Sequence, residues 1–203
     1  MADVTQQRAI ERQRRILEAA LRVYARRGYG AATMDEVARA SRTSKGGLYF
    51  HFPSKEDLFL ALLRYASRRL LEKVEEAMSA APDPVARAEA ALGTVLRTFS
   101  RHRPLARILL LEGYGAGRRF QAEVTALRDR CATLVRGCLE EAIARGLIGP
   151  VDADLTARAW FGATVEVIVH WLITGRPRRL EDAYPPLRAL FRRSVGLPPD
   201  DVP

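Results

Sequence analysis

Side chains that can bind phosphate are concentrated between positions 33 and 55 of the chain. The hydroxyls of Thr33, Thr43 and Ser44 alternate there with basic residues, and two adjacent glycines follow Lys45. A hydroxyl can donate to a phosphate oxygen, and an ammonium or guanidinium group can pair with its charge. Glycine lets another molecule approach the backbone closely. No nucleophile lies beside a base in this stretch, so its chemistry predicts binding and not catalysis.

Three helix-start signals predict how this stretch folds. Thr33 lies three residues before Glu36 and predicts a capping box, while Ser44 and Ser54 are good N-caps for two further helices. We therefore expect a helix, a tight turn, a second short helix ending near Phe50, and a third helix that begins at once. The N-terminal turn of such a short helix can lie against a DNA duplex. An ordinary helical hairpin is the alternative.

The same stretch resembles the DNA-binding region of the TetR family of transcriptional regulators, the tetracycline-repressor-like proteins. The resemblance lies in residues 45–52, KGGLYFHF, and residues 53–58, PSKEDL. It implies an all-α fold of about nine helices. Residues 1–53 would form a three-helix helix-turn-helix domain, and residues 54–203 a helical effector-binding and dimerisation domain.

The resemblance also implies which residues meet DNA. Ser44, Lys45 and Gly47 would lie in the major groove, and Tyr49 and His51 would reach the backbone. The complete set of implied DNA-binding residues is Thr33, Arg42, Thr43, Ser44, Lys45, Gly46, Gly47, Tyr49, His51 and Lys55. The family usually has glycine where this chain has Arg42. Either Arg42 adopts a positive φ with some strain, or the turn is built differently.

Composition and charge agree with a globular DNA-binding protein. Of the 203 residues 48% are hydrophobic, and the net charge is +9. Residues 1–55 hold 11 basic against 5 acidic residues, so most of the excess lies in the quarter that carries the motif. A basic face attracts phosphate in a salt-dependent manner. Because the chain lacks a long apolar run and a secretory signal pattern, we expect a cytoplasmic protein with Cys131 and Cys138 reduced.

Apolar periodicity predicts helices along the rest of the chain and no strand. A first helix should cover about 8–27 after a frayed start, and the helix beginning at Ser54 should continue to about Met78. The later helices should cover about 84–102, 105–111, 118–145, 152–174 and 180–195. The helix over 152–174 is apolar nearly all round, which predicts burial on every face.

Pairing of the last two long helices with their copies in a second subunit is implied by the family resemblance. Their apolar surface also exceeds what one fold of this length easily covers. An internally buried helix is the alternative. The expected interface residues are Val165, Ile168, Trp171, Leu187, Leu190 and Phe191.

An effector pocket is implied for the helices between residues 85 and 175. Its expected residues are Leu96, Phe99, Arg103, Leu109, Tyr114, Phe120, Trp160 and Phe161. Apolar walls with arginines nearby would suit an acyl-CoA or a fatty-acid-like ligand, although such residues at helical spacing also serve as core.

These patterns predict a sequence-specific DNA-binding transcriptional regulator, not an enzyme, that requires neither a metal nor another cofactor. It would be a homodimeric repressor, released from near-palindromic double-stranded operator DNA by a small, largely apolar effector. An effector-independent architectural DNA-binding protein is one alternative. An enzyme or carrier with a large apolar pocket is the other.

Overall fold

The computed structural model describes residues 2–113 and 117–199, with side chains from residue 6 onward. These residues form nine α-helices and no strand, which confirms the predicted all-α class. The α-helices are α1 Ala2–Ala31, α2 Met34–Ser41, α3 Lys45–His51, α4 Lys55–Ser79, α5 Pro84–Arg101, α6 Arg103–Arg107, α7 Arg118–Ala144, α8 Ala153–Thr174 and α9 Tyr184–Ser194. A π-helix, Ile108–Glu112, follows α6, and a 3₁₀ helix, Leu180–Ala183, precedes α9.

The helices group into two compact units. The first comprises Met1–Ser67 with Arg107–Val124, and the second Arg68–Ala106 with Thr125–Pro203. This division differs from the domains expected over 1–53 and 54–203. The start of α4 belongs to the first unit because its Phe59 ring packs 5.3 Å from Tyr24 and 4.5 Å from Tyr29, between ring centroids.

The core of the first unit is built on α1, whose buried stripe includes Ile16, Ala20 and Tyr24. The backbone is helical from Ala2, so α1 begins earlier than the helix expected from about residue 8. Gly28 interrupts the helix at a φ of 77° and a ψ of 157°, as its position predicted. A left-handed φ of this kind is open to glycine at little steric cost.

The turn after Gly28 is held by a distant carboxylate. The Tyr29 backbone N–H donates to Glu112 Oε2 over 3.0 Å, and the Arg107 guanidinium lies 3.9 Å from the same carboxylate. Glu112 closes the π-helix, and Gly113 after it lies so near α7 that a Cβ there would be 2.6 Å from Val124 Cγ2. This segment is therefore packed tightly into the first unit.

The second unit is built from α5, α7, α8 and α9. Asp83 and Asp152 cap α5 and α8, accepting from the backbone N–H groups of Ala86 and Leu155. The central residues of one core cluster are Leu139, Ala142, Ile148, Ala157 and Val195. Glu89 ties α5 to α9, since its carboxylate accepts from Arg188 and Arg192, each over 2.7 Å.

Two predicted helices differ from those observed, and proline explains both. The helix expected over 105–111 begins earlier, at Arg103, because Pro104 fits the first helical turn, where no N–H donor is needed. Its second half is the π-helix. The helix expected over 180–195 is a 3₁₀ turn followed by α9, with Pro185 near the start of the α-helix.

Among the described residues, no helix combines the length and apolar character needed to cross a membrane.

Candidate nucleic-acid interface

The predicted capping box at the start of α2 is confirmed. The Thr33 N–H donates to Glu36 Oε2 over 3.0 Å, and the Glu36 N–H donates to Thr33 Oγ1 over 3.3 Å. The hydrogen bond from the Thr33 backbone and, secondarily, the Arg27 guanidinium 2.9 Å away lower the pKa of the Glu36 carboxyl. The Thr33 hydroxyl is thus used within the protein.

Arg42 adopts the left-handed conformation that glycine usually occupies, with φ 53° and ψ 41°. Its N–H donates to the Arg39 carbonyl over 3.1 Å, and the Thr43 N–H donates to the Ala38 carbonyl over 3.0 Å. This pair of hydrogen bonds is a Schellman motif. The first of the two alternatives for this turn is therefore correct: the turn keeps its geometry and Arg42 accepts the strain.

The two glycines of α3 have different surroundings. A Cβ on Gly47 would lie 3.1 Å from both Ser44 Oγ and a Thr43 methyl, so a larger residue there would require these side chains to shift. The Gly47 N–H donates to Ser44 Oγ over 3.1 Å, which confirms Ser44 as the N-cap. A Cβ on Gly46 would meet nothing within 4 Å. Only Gly46 leaves room that a molecule outside the chain can use.

The α3 helix is anchored on one face and open on the other. Leu48 and Phe52 are buried, whereas Tyr49 is exposed and Phe50 is 84% exposed. Phe50 was not among the expected DNA-binding residues. The signal was present in the spacing, because a residue two positions from each of two buried anchors faces away from them.

Both lysines of the motif have partners in the chain. Lys45 Nζ lies 3.1 Å from Asp35 Oδ1, and both side chains are exposed, so this pair is weak. Lys55 Nζ donates to the Gly30 carbonyl over 2.9 Å and lies 4.7 Å from the centroid of the Tyr29 ring. An ammonium group has three donors, so Lys55 is oriented by the chain and can still reach a phosphate.

Exposed arginines extend the basic surface along α1. Five of them have no carboxylate partner among the described residues: Arg8, Arg12, Arg15, Arg22 and Arg26. The charge excess counted in the sequence is therefore carried on the surface of this unit, where it can attract phosphate.

Three of the expected effector residues do not lie in the described part of the second unit. Leu109 is buried in the first unit, and the Phe120 ring lies 5.4 Å from Tyr29 and 5.1 Å from Phe59. Tyr114 lies outside the described residues. Leu109 and Phe120 thus act as core of the first unit.

The other expected effector residues are in the second unit, where most of them have structural roles. Leu96 and Phe99 are buried on α5. Arg103 donates to the Leu172 carbonyl over 2.8 Å and so caps the end of α8. The Arg128 guanidinium lies 5.5 Å from the centroid of the Phe161 ring. The Trp160 ring stacks on Phe191, with 4.7 Å between the ring centroids.

A cleft lined partly by Trp160 encloses about 20 Å³, room for about one water molecule. Leu96, another of the expected residues, lines a separate open groove of about 320 Å³.

Four of the six expected interface residues are buried in their own unit: Ile168, Trp171, Leu187 and Phe191. Within one chain these four side chains are already packed in the core, so their part in a subunit interface stays a prediction. Val165 is half-buried, and Leu190 is 54% exposed. One chain leaves part of the apolar helix α8 uncovered, since Leu155 and Ile173 are 65% and 71% exposed.

No group of three or more His, Cys, Asp or Glu side chains in the described ranges could hold a metal ion.

Two family models match the chain. The model for bacterial regulatory proteins of the tetR family matches residues 16–62, and that for a tetracyclin repressor-like C-terminal domain matches residues 81–176. The HTH-type transcriptional regulator YhgD of Bacillus subtilis is 27% identical over 179 residues, which cover 88% of this chain and 89% of YhgD.

Solved structures agree with the family models. A transcriptional regulator FadR from Bacillus subtilis, solved with stearoyl-CoA, superimposes with a TM-score of 0.81 at 20% identity, covering 90% of this chain and 97% of FadR. AibR, solved with isovaleryl coenzyme A and operator DNA, superimposes with a TM-score of 0.70 at 25% identity, covering 90% and 97%. With the Schellman turn, the open face of α3 and both matched regions in place, this chain belongs to the TetR family of bacterial transcriptional regulators.

Proposed function

We propose that this protein is a cytoplasmic repressor that binds a near-palindromic operator as a homodimer and leaves it when a small effector binds. The open face of α3 carries the proposal. Its N-cap turn is well ordered by Ser44, its outer surface is unobstructed at Gly46, and Phe50 is held outward by the buried Leu48. These are the properties of a helix that enters a major groove.

The residues of the motif divide into three roles in this proposal. Ser44 and Lys45 contact base edges, and Phe50 provides an apolar surface for a thymine methyl group or a sugar. Arg42, Thr43, Tyr49, His51 and Lys55 contact the phosphate backbone. Thr33 and Gly47 act indirectly, by capping α2 and by shaping the turn.

The dimer is supported by exposed apolar side chains on α8 and α9. Leu155, Ile173 and Leu190 are each more than half exposed, and Val165 adds a half-buried surface. A two-fold pair of this kind would place two α3 helices in successive major grooves, about 34–36 Å apart or a multiple of it, and so select a near-palindrome.

The dimer can be tested by placing a charge on this surface. In sedimentation velocity experiments, Ile173→Glu and Leu190→Glu should shift the protein toward monomer, because an interface would bury an unpaired charge. Leu147→Glu is the control, since Leu147 is 43% exposed but lies on neither helix. Dimers of unchanged affinity in both test variants would place the interface elsewhere.

For the effector we propose an acyl-CoA. FadR and AibR were solved with stearoyl-CoA and isovaleryl coenzyme A, and both resemble this chain over about nine-tenths of its length. The expected apolar pocket and its arginines led to the same class of ligand from the sequence.

Selection of bound duplexes from a random DNA pool, followed by affinity measurements at several salt concentrations, tests the regulatory function. Lys45→Ala and Phe50→Ala should relax the base preference at single positions, by about 1–3 kcal/mol for a bidentate Lys45 contact. Lys55→Ala should weaken binding to all sequences equally and lower the salt slope by about one.

The exposed Arg145 of the second unit offers a charge-matched control, Arg145→Ala, which should bind like the wild type. Recovery of no preferred sequence would indicate an architectural DNA-binding protein. Failure to bind any DNA at low salt would refute the proposal.

A further inference from the structure

An open groove runs between α4 and α5 on the second unit, and its volume is about 420 Å³. Its α4 side presents Lys73, Glu76 and the small side chain of Ala77, and its α5 side presents Thr98 and Arg101. The space is large enough for several phosphate groups. Four of these five residues belonged to no expected DNA or effector site, whereas Arg101 was among the arginines expected to bind an anionic group of the effector.

The charge lining this groove is unbalanced. The lining includes three basic side chains, Lys73, Arg97 and Arg101, and His102 just after α5. Glu76 is the one carboxylate among the lining residues. Lys73 and Arg101 have no salt bridge to the described residues. Arg97 uses one N–H to donate to the Thr94 hydroxyl over 3.1 Å.

Other cations of this unit are neutralised, which makes the contrast informative. Arg87 pairs with Glu141 at 2.8 Å and Arg130 with Glu75 at 3.2 Å. Like charges held together repel, and the single carboxylate of Glu76 does not balance the three basic side chains of the groove, so a bound anion would relieve the repulsion.

Thr98 adds a hydrogen-bonding group to the wall of the groove. The residue is only 7% exposed, and its hydroxyl makes no hydrogen bond within the described parts of the chain. A bound oxyanion can accept a hydrogen bond from this hydroxyl.

His102 reports the positive field at the end of the groove. Burial first, and then the nearby charges of Lys73, Arg101 and Arg69, lower the pKa of its imidazole. Lys73, Arg101 and His102 line the same groove, so their charges can act on a single anion.

A second open groove, of about 320 Å³, lies beside the first and is also lined by Arg97 and Arg101. The two arginines thus border both spaces. A guanidinium fork can bind two oxygens of one phosphate, so this ridge can hold a ligand that carries more than one phosphate group.

We propose that the groove formed by Lys73, Thr98 and Arg101 binds the phosphate groups of a di- or polyphosphate ligand. Several cations around one hydroxyl suit a multiply charged phosphate better than a single carboxylate. The phosphate can be free or can belong to a larger effector such as a coenzyme A ester. In the second case the assignment rests on the proposed function and specifies where the effector's charged end lies.

Isothermal titration calorimetry of the full-length protein with inorganic pyrophosphate and with free coenzyme A tests the site. Arg101→Ala and Lys73→Ala should each weaken binding about tenfold, and Thr98→Val should weaken it several-fold without changing the charge. Arg68→Ala is the control, because Arg68 is exposed on the same helix α4 but lines neither groove. DNA affinity of every variant is measured in parallel and should stay within about twofold of wild type.

Binding of both probes, with loss in the groove variants, identifies a site for phosphate as such. Binding of coenzyme A alone, with the same losses, assigns the groove to the phosphates of a larger effector. The proposal is overturned if neither pyrophosphate nor coenzyme A binds at low salt. It is also overturned if Arg68→Ala and Arg101→Ala weaken binding equally. Since DNA affinity is measured separately, such a result would leave the regulatory function standing.

Discussion

Replacing Arg42 by glycine should make the protein more stable and weaken its binding to DNA. Arg42 has a φ of 53° at the end of α2, where the Schellman hydrogen bonds require a left-handed residue. Its guanidinium makes no ion pair or hydrogen bond to the described residues. The substitution therefore removes backbone strain and a charge, and little else.

The expected gain in stability follows from two opposing terms. A residue with a Cβ costs about 1–2 kcal/mol in the left-handed region. Glycine costs about 0.5–1 kcal/mol through the greater freedom of its unfolded chain. The free energy of unfolding should rise by about 0.5–1 kcal/mol, which corresponds to about 1–4 °C in Tm for a chain of this size.

Thermal unfolding followed by circular dichroism measures this gain. Tryptophan fluorescence is unsuitable, because Trp160 and Trp171 both lie in the second unit. Arg42→Ala is the matched control: it loses the same charge and keeps the strained φ. If Arg42 contacts a phosphate, both variants should lower the salt slope of DNA binding by about one, whereas only the glycine variant should be stabilised.

Equal stability of the glycine and alanine variants would refute the reasoning, since the left-handed turn would then not be strained in solution. An unchanged salt slope in both variants would remove Arg42 from the phosphate contacts while leaving the turn geometry intact.

Three further predictions concern packing and titration. Gly113→Ala should destabilise by about 1–3 kcal/mol in urea unfolding, because its Cβ would lie 2.6 Å from the Val124 side chain, whereas Gly137→Ala, with nothing within 4 Å, should stabilise by about 1 kcal/mol. Burial raises the pKa of the Cys131 thiol to about 11, so at pH 8 it should react with a disulfide reagent about 100-fold slower than in the unfolded chain. Burial and neighbouring cations lower the pKa of His102, so its NMR titration midpoint should rise on unfolding; the unfolded state then binds more protons, and stability should increase with pH through that window.

The sequence by itself determined the features that depend on neighbouring residues. Thr33, Ser44 and Ser54 cap the helices they were expected to cap, because a capping hydrogen bond joins residues two or three apart. Glycine likewise marked the interruption of α1 at Gly28 and the end of α8 at Gly175, where φ is positive. The order of the helices and the TetR-like motif could therefore be predicted without coordinates.

Tertiary structure alone decided which side chains are available to a ligand, a partner subunit or DNA. Trp171 and Phe191 were predicted from the sequence to lie at a subunit interface, but packing within one chain buries both of them. Apolar periodicity identifies a face without stating what covers it.

Long-range polar contacts also could not be predicted from the sequence. The Glu112 carboxylate that receives the Tyr29 N–H lies 83 residues away, and Lys55 donates to the Gly30 carbonyl 25 residues before it. The groove between α4 and α5 exists because Lys73, Thr98 and Arg101 come together from two helices. Such groups meet only when the chain folds back on itself, so no local pattern of residues could have predicted the site they form.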